Sequence, residues 1–250
     1  MSTQKPAEPI FEPVEVTVRK VEEETPGTKS LYLDYDRKAF QYEASQAVRL
    51  FVDTQDGHRI PHAFSIASSP TEDFLLFTTR IRPESSFKRS IERLKPGDRL
   101  NLVGPFGRFV LPPDPSNNLV FLGGGIAITP FRGMSKYATD KHLPHRITLL
   151  YSNRTPEEII YRKEWETLQS KNHNLTVVHV ITHPEHSKEK WTGRTGRIDE
   201  RLILEYAPEL DKTLFYICGT PTMITELTHT LRAMNVDPNR VKIESFPGYI

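Results

Sequence analysis

Between residues 119 and 131 the chain reads LVFLGGGIAITPF: a short apolar run, three glycines, then a Thr-Pro pair. The apolar run predicts a buried parallel strand. Gly124 and Gly125 allow a ligand close to the backbone. Thr129-Pro130 predicts a helix start, with threonine as cap and proline in the first turn. Unpaired N–H groups at such a start can hold a phosphate. An ordinary strand-to-helix turn has the same outline, and Ile128 stands where the G-x-G-x-x-G fingerprint needs its third glycine. The device nevertheless recurs. Thr155-Pro156 and Thr220-Pro221 also follow apolar runs, Thr155-Pro156-Glu157-Glu158 has the form of a capping box, and Gly219 precedes the last pair. Two glycine-bearing helix starts point to a phosphate-bearing ligand at the carboxyl ends of a parallel sheet.

A second group lies earlier. Residues 61–70 read PHAFSIASSP, which places Phe64 and Ser65 on a strand. Arg80-Ile81-Arg82 then leads to Ser85-Ser86 and a helix whose first turns carry Lys88 and Arg89. Serines and cations at a helix start suit a pyrophosphate, and equally a solvated basic face. Cys218 precedes Gly219 at the last helix start, where a thiol can have a lowered pKa, or it is a small buried packing residue. Residues 80–99 carry Arg80, Arg82, Lys88, Arg89, Arg93, Lys95 and Arg99 against three acidic residues, a surplus able to steer an acidic partner.

The elements that must position these residues fall into two halves. Alternating apolar residues predict strands at 14–18, 31–33, 48–52, 64–66, 74–81 and 100–103, with one helix at 86–94. After the linker PPDPSNN, apolar runs at 119–122, 147–151, 175–181, 213–218 and 241–245 alternate with helices near 130–138, 156–170, 197–206 and 221–234. The expected fold class is β + α/β: an N-terminal antiparallel β-barrel followed by a C-terminal five-stranded parallel sheet flanked by helices. A polar tail is expected over 1–13, the barrel over 14–112 and the α/β domain over 113–250.

Composition narrows the function. With 33 Lys+Arg against 32 Asp+Glu, bulk charge predicts neither a nucleic acid nor a membrane partner. No apolar run is long enough to span a bilayer, and the N-terminus has no apolar signal-peptide core. One cysteine excludes an internal disulfide and a four-cysteine iron–sulfur site, and fits a reducing cytoplasm. The nine histidines show no recognised metal-binding motif, so no metal site is expected.

PHAFSIASSP, GPFGRF at 104–109, FLGGGIAITPF, LLYSNRTPEEIIYRKEWE at 149–166, YICGTPTM at 216–223 and FPGY at 246–249 occur in that order. Over residues 14–250 the chain resembles the ferredoxin–NADP+ reductase superfamily. The resemblance implies an FAD-binding barrel and an NAD(P)-binding α/β domain. The flavin motif Arg-x-Tyr-Ser stands here as His62-Ala63-Phe64-Ser65. Ser65 would lie near flavin N5, the hydride acceptor, with Phe64 against the ring. Arg80 and Ser86 would hold the pyrophosphate. Replacing the motif arginine by His62, mostly neutral at pH 7, forfeits a charge-assisted bond worth about 1.5–3 kcal/mol. Ala44-Ser45-Gln46 stands where the family usually has glycine before glutamine.

On the nucleotide side, the resemblance implies that Gly124, Gly125, Asn153 and Arg154 contact the dinucleotide and that Thr129 lies near both cofactors. Cys218-Gly219 would flank the nicotinamide, Cys218 chiefly as a positioning group. Thr182 and His183 stand just after the third strand, where NADH-preferring relatives often place an acidic residue, which leans toward NADPH or tolerance of both nucleotides. Tyr249 would be the terminal aromatic near the flavin. The expected activity passes hydride from NAD(P)H to FAD, with Ser65 and Cys218 at the reacting centre. Electrons then pass to a separate acceptor protein, a ferredoxin-like carrier or an oxygenase component. A diaphorase or flavin reductase using small acceptors, and a non-catalytic nucleotide-binding relative, are the alternatives.

Overall fold

The computed structural model describes residues 12–54, 57 and 59–245. Residues 1–11 of the expected tail and the expected flavin-side Tyr249 lie outside the described residues.

The first half is one curled antiparallel sheet. Its elements are β1 (Val14–Thr25), β2 (Thr28–Asp34), β3 (Ala47–Asp53), β4 (Arg59–Ser65), β5 (Leu75–Arg80), α1 (Ser86–Arg93) and β6 (Arg99–Phe106). The strands run in the order β4-β3-β6-β1-β2-β5. Val16, Val18, Leu31, Leu33, Val48 and Leu50 point into one core, as their alternation predicts, and Phe87 and Ile91 of α1 join it. Just beyond β4 the Ala67 amide donates to the Leu76 carbonyl at 2.8 Å, so the two outer strands approach one another as in a barrel. β4 starts well before the predicted residue 64. Pro61, which cannot donate to a ladder, is tolerated because β4 is an edge strand.

The second half is a parallel sheet. It contains β7 (Asn118–Gly124), α2 (Thr129–Asp140), β8 (Ile147–Asn153), α3 (Arg162–Lys171), β9 (Leu175–Ile181), β10 (Arg194–Thr195), α4 (Glu200–Tyr206), β11 (Thr213–Gly219), α5 (Pro221–Ala233) and β12 (Val241–Ser245). The order is β10-β9-β8-β7-β11-β12. Along β7, Leu119 and Phe121 enter a core with α2 and α3, and Val120 and Leu122 a core with α4 and α5. Burial on both faces explains why this strand reads as a continuous apolar run.

Four local expectations are corrected. The sheet has six strands rather than five, because β10 is two exposed polar residues with no apolar signal. The helix expected at 156–170 is broken: a single 3₁₀ turn, Pro156–Glu158, is separated from α3 by Ile159, Ile160 and a left-handed Tyr161. Backbone amides there serve distant side chains, Ile160 donating to the Tyr151 hydroxyl and Tyr161 to Glu24 Oε1, both at 3.2 Å. Thr155 makes no side-chain cap, and Glu157 instead accepts from Ser187 Oγ and the Lys188 amide. α4 starts at Glu200 rather than 197, because Asp199 caps it by accepting from the Leu202 amide at 2.9 Å.

Helix α2 joins the halves. Gly133 sits so close to the barrel that a Cβ there would lie 3.2 Å from the Ile66 and Ser68 carbonyl oxygens. Beside it Arg132, 4 % exposed, donates to both carboxylate oxygens of Glu72 (2.8 and 2.9 Å), to the Ala67 carbonyl (2.8 Å) and to Glu164 (2.9 Å). Glu72 belongs to the barrel half and Glu164 to α3. Across the same seam Thr71 donates to Asp140, and the Thr78 and Tyr161 hydroxyls pair. Ser45, also at this seam, has φ of 81°, and its buried hydroxyl makes no hydrogen bond among the described residues. That backbone conformation is the physical reason for a glycine before Gln46 in the family pattern.

Candidate functional site

The carboxyl ends of the parallel strands and the end of β4 converge. Register places Gly123 beside Cys218 and Cys218 beside Glu244. From the barrel, Ser65 Oγ donates to Glu244 Oε2 at 3.2 Å. Burial raises the Glu244 carboxyl to about 7, against the opposing effect of the Ser65 hydrogen bond. Cys218 is fully buried. Burial, and then the nearby Glu244 charge, push its thiol well above its ordinary value. The thiol is therefore raised rather than lowered, and Cys218 is a packed, buried residue. Glu244 was missed in the sequence because it reads as one more polar residue of an edge strand; its partners come from another strand and from the other half.

Around the first glycine turn, Gly125 adopts φ of 53°, and the place of a Cβ there is open. A 3₁₀ turn, Gly125–Ile128, leads into α2, so Thr129 is the first helical residue rather than its cap and is 2 % exposed. Thr220 does cap α5, accepting from the Met223 amide at 3.3 Å. The Met223 side chain lies against both Gly124 and Gly219, where an added Cβ would meet its sulfur at 2.7 and 2.9 Å. The two glycine turns are thus bridged by one flexible thioether.

Asn153 ends β8. It is 4 % exposed, and neither side-chain amide atom meets hydrogen-bond geometry with a partner among the described residues. Its carbonyl accepts from the Thr182 amide at 2.9 Å, and the exposed Arg154 accepts through its carbonyl from the His183 amide at 2.8 Å. Thr182 and His183 line a cleft of about 270 Å³ with Arg197, Thr220, Thr222 and Met223. Arg197 meets Glu226 at 2.8 Å on its rim. A buried unpaired amide beside an open glycine turn suits a ligand with its own donors and acceptors.

On the barrel side, His62 and Phe64 pair with Leu50 and Val48 of β3 and share their inward face. The His62 ring stacks on Phe87 with centroids 3.9 Å apart. Burial, and then the Lys88 charge, lower its pKa, so it stays neutral at pH 7. Phe64 is 6 % exposed, with Phe77 edge-on, Phe87 stacked on it and the Lys88 ammonium 4.8 Å from the ring centre. Lys88 is buried and donates to Thr79 Oγ1. Burial, and then the Arg82 charge, lower its pKa to about 8. Ser85, rather than Ser86, caps α1, accepting from the Lys88 amide at 3.3 Å. Arg80 points elsewhere, to Glu158 at 3.3 Å. The basic surplus of residues 80–99 is thinner at the surface than in the sequence, since Lys88 is buried and Arg80 and Arg99 pair with Glu158 and Glu15.

No described helix is long and apolar enough to cross a membrane. Among the described residues, one group brings potential metal-ligand atoms together: His183, Glu185 and His186.

Residues 121–229 match the family model of the oxidoreductase NAD-binding domain. The whole described architecture superposes on the ferredoxin–NADP+ reductase of Plasmodium falciparum with a TM-score of 0.77, covering 95 % of this chain and 98 % of that one at 20 % identity. The likeness shows the ferredoxin–NADP+ reductase fold. It is equally the fold of the cytochrome P450 reductase of Amycolatopsis (TM-score 0.81, 23 % identity, covering 94 % of this chain and 70 % of that one). In sequence it is 28 % identical over 209 residues to the glycine betaine monooxygenase reductase subunit of Pseudomonas aeruginosa. That match covers 83 % of this chain but only 57 % of the relative's length.

Proposed function

We propose that this chain is a member of the ferredoxin–NADP+ reductase superfamily, an NAD(P)H-dependent flavoprotein oxidoreductase that passes electrons from a nicotinamide nucleotide, through FAD, to a separate acceptor protein. The observation that carries the reading is the meeting of Ser65, Cys218 and Glu244 across the seam, at the open end of a sheet with two glycine turns. FAD, when bound, supplies the hydride acceptor and divides the electron pair into single electrons. The chain binds and orients. Gly124, Gly125, Asn153, Arg154 and Gly219 hold the dinucleotide, and Thr129, buried at the start of α2, supports the turn between the cofactors. Thr182, His183 and Arg197 offer donors and a cation to a 2′-phosphate, which favours NADPH.

His62, Phe64, Ser65 and the start of α1, including Ser86, form the flavin side, with Tyr249 as the terminal aromatic beside it. The Lys88 ammonium stands beside His62 and Phe64 and takes over the anion-holding task of the absent motif arginine. Arg80 joins it only by leaving Glu158. The Glu244 carboxyl, raised by burial to about 7, would accept through the Ser65 hydroxyl the proton released when a reduced flavin gives up its electrons. The acceptor is an acidic one-electron carrier protein, ferredoxin-like or an oxygenase component. The relative named as a monooxygenase reductase subunit supports this class, as do the exposed Arg93 and Lys95. The proposed setting is the cytoplasm, as the single cysteine suggests.

A second reading is favoured by one observation: the Phe64 ring is covered by Phe87 and Lys88. On this reading FAD comes and goes as a substrate, as in a flavin reductase. An anaerobic titration of the purified protein with FAD, then NADPH or NADH, tests both. The expected result is flavin that survives desalting and bleaches on addition of NADPH, and that a one-electron acceptor such as ferricyanide reoxidises faster as pH rises through about 7 in the wild type but not in Glu244→Gln. Flavin that bleaches but is lost on desalting supports the second reading. No flavin bound at excess FAD overturns both.

A further inference from the structure

The segment His183-Pro184-Glu185-His186 combines two imidazoles and a carboxylate within four residues. That donor set selects zinc and its transition-metal neighbours over calcium or magnesium, which prefer all-oxygen sites. The backbone brings the three side chains together. A 3₁₀ turn spans Pro184–His186, and the His186 amide donates to the His183 carbonyl at 3.1 Å. The i, i+3 spacing stacks the two rings nearly parallel, with centroids 5.3 Å apart and planes 8° apart. Glu185 Oε1 lies 3.0 Å from His183 Nδ1 and 3.8 Å from His186 Nε2. One ligand atom from each residue falls within 4.8 Å of the others. Four ligands at about 2.1 Å from zinc stand about 3.4 Å apart, so closing the set needs shifts of about 1 Å in exposed side chains.

The turn is held from both sides. The His183 amide donates to the Arg154 carbonyl at 2.8 Å, and Glu157 Oε1 accepts from Ser187 Oγ at 2.9 Å and from the Lys188 amide at 2.8 Å. A pinned turn pays little ordering cost on binding an ion. His183 also lines the nucleotide cleft with Thr182 and Arg197, whereas His186 lines a different cleft with Arg80 and Glu158.

We propose that His183, Glu185 and His186 form a three-ligand site for a zinc-like divalent cation, and that filling it holds His183 away from the nucleotide cleft. The site stands independently of the proposed function; its effect on the nucleotide rests on that reading. The bland alternative is an imidazole–carboxylate hydrogen bond on a solvated loop.

The test uses tag-free full chain and zinc alone, titrated by calorimetry in a non-coordinating buffer. The wild type is expected to bind one ion per chain, and His186→Ala to bind it about tenfold more weakly or worse. His186 is exposed and outside the nucleotide cleft, so the variant is expected to fold and to bind NADPH as the wild type does without zinc. With zinc present, NADPH affinity is expected to fall in the wild type but not in His186→Ala. Equal zinc affinity in the two proteins overturns the site. Site-specific zinc binding that leaves NADPH affinity unchanged overturns the coupling. If the wild type binds no NADPH even without zinc, the nucleotide reading has failed instead, and the zinc titration alone still decides the site.

Discussion

At the seam, a buried guanidinium meets two carboxylates and a carbonyl; at the open end of the sheet, a buried amide makes no hydrogen bond among the described residues. Arg132 and Asn153 are equally hidden, both 4 % exposed. The difference is in their partners. Arg132 draws Glu72 and Ala67 from one half and Glu164 from the other. Among the described residues, neither amide atom of Asn153 makes a hydrogen bond. A polar group buried without an answer costs stability, and the cost is retained where something other than the protein completes it. The seam serves the fold, and on the proposed function the open end serves a ligand.

The contrast can be broken most forcefully at the seam. Arg132→Met strips Glu72 and Glu164 of their shared cation and is expected to cost about 3–5 kcal/mol in chemical denaturation. A loss under about 1 kcal/mol would show that solvent already reaches the pair. Next comes Lys88→Met, which removes the buried cation beside the flavin motif. FAD affinity is expected to fall about 10- to 100-fold, the worth of a charge-assisted bond of about 1.5–3 kcal/mol. Riboflavin, lacking phosphate, should bind as before, and Lys88→Arg should restore most of the FAD affinity. Equal losses for both flavins would make Lys88 a packing residue only.

Asn153→Ala sharpens the other side. Deleting an unpaired amide removes its desolvation penalty and some packing together, so stability is expected to stay within about 1 kcal/mol of wild type. Fluorescence titration should show NADPH affinity about 2- to 10-fold weaker, one neutral hydrogen bond's worth. A large loss of stability with unchanged nucleotide binding would reverse the comparison. The smallest change is Ser45→Gly, which relieves the left-handed backbone and removes a buried unpaired hydroxyl. It is expected to stabilise by about 1 kcal/mol in thermal or urea unfolding, with flavin binding unchanged.

Much of this was legible in the sequence wherever the signal was local. Alternation announced the barrel strands, apolar runs the parallel ones, and the glycines the turns at Gly124 and Gly219. The break between Pro156 and Arg162 was not legible, because it depends on Tyr151 and Glu24 taking amides that a helix would have used. The same holds for Glu244: its raised pKa arises from burial beneath groups far away in the chain. Arg80 shows the converse. Its position in the pattern suggested a phosphate, whereas the fold gives it Glu158. Spacing identifies which residues share an element, and the fold decides what stands opposite them.

The Arg132 cluster also limits how such proteins can be recombined. Its carboxylates come from both sides of the 112–113 linker, so neither half is a self-contained cassette. A chimera joined there and lacking a carboxylate at position 72 would inherit a guanidinium missing one of its two counterions at the crossing point. Lineages that exchange one half must therefore change both sides of the seam together, and positions 72, 132 and 164 are expected to vary as one unit.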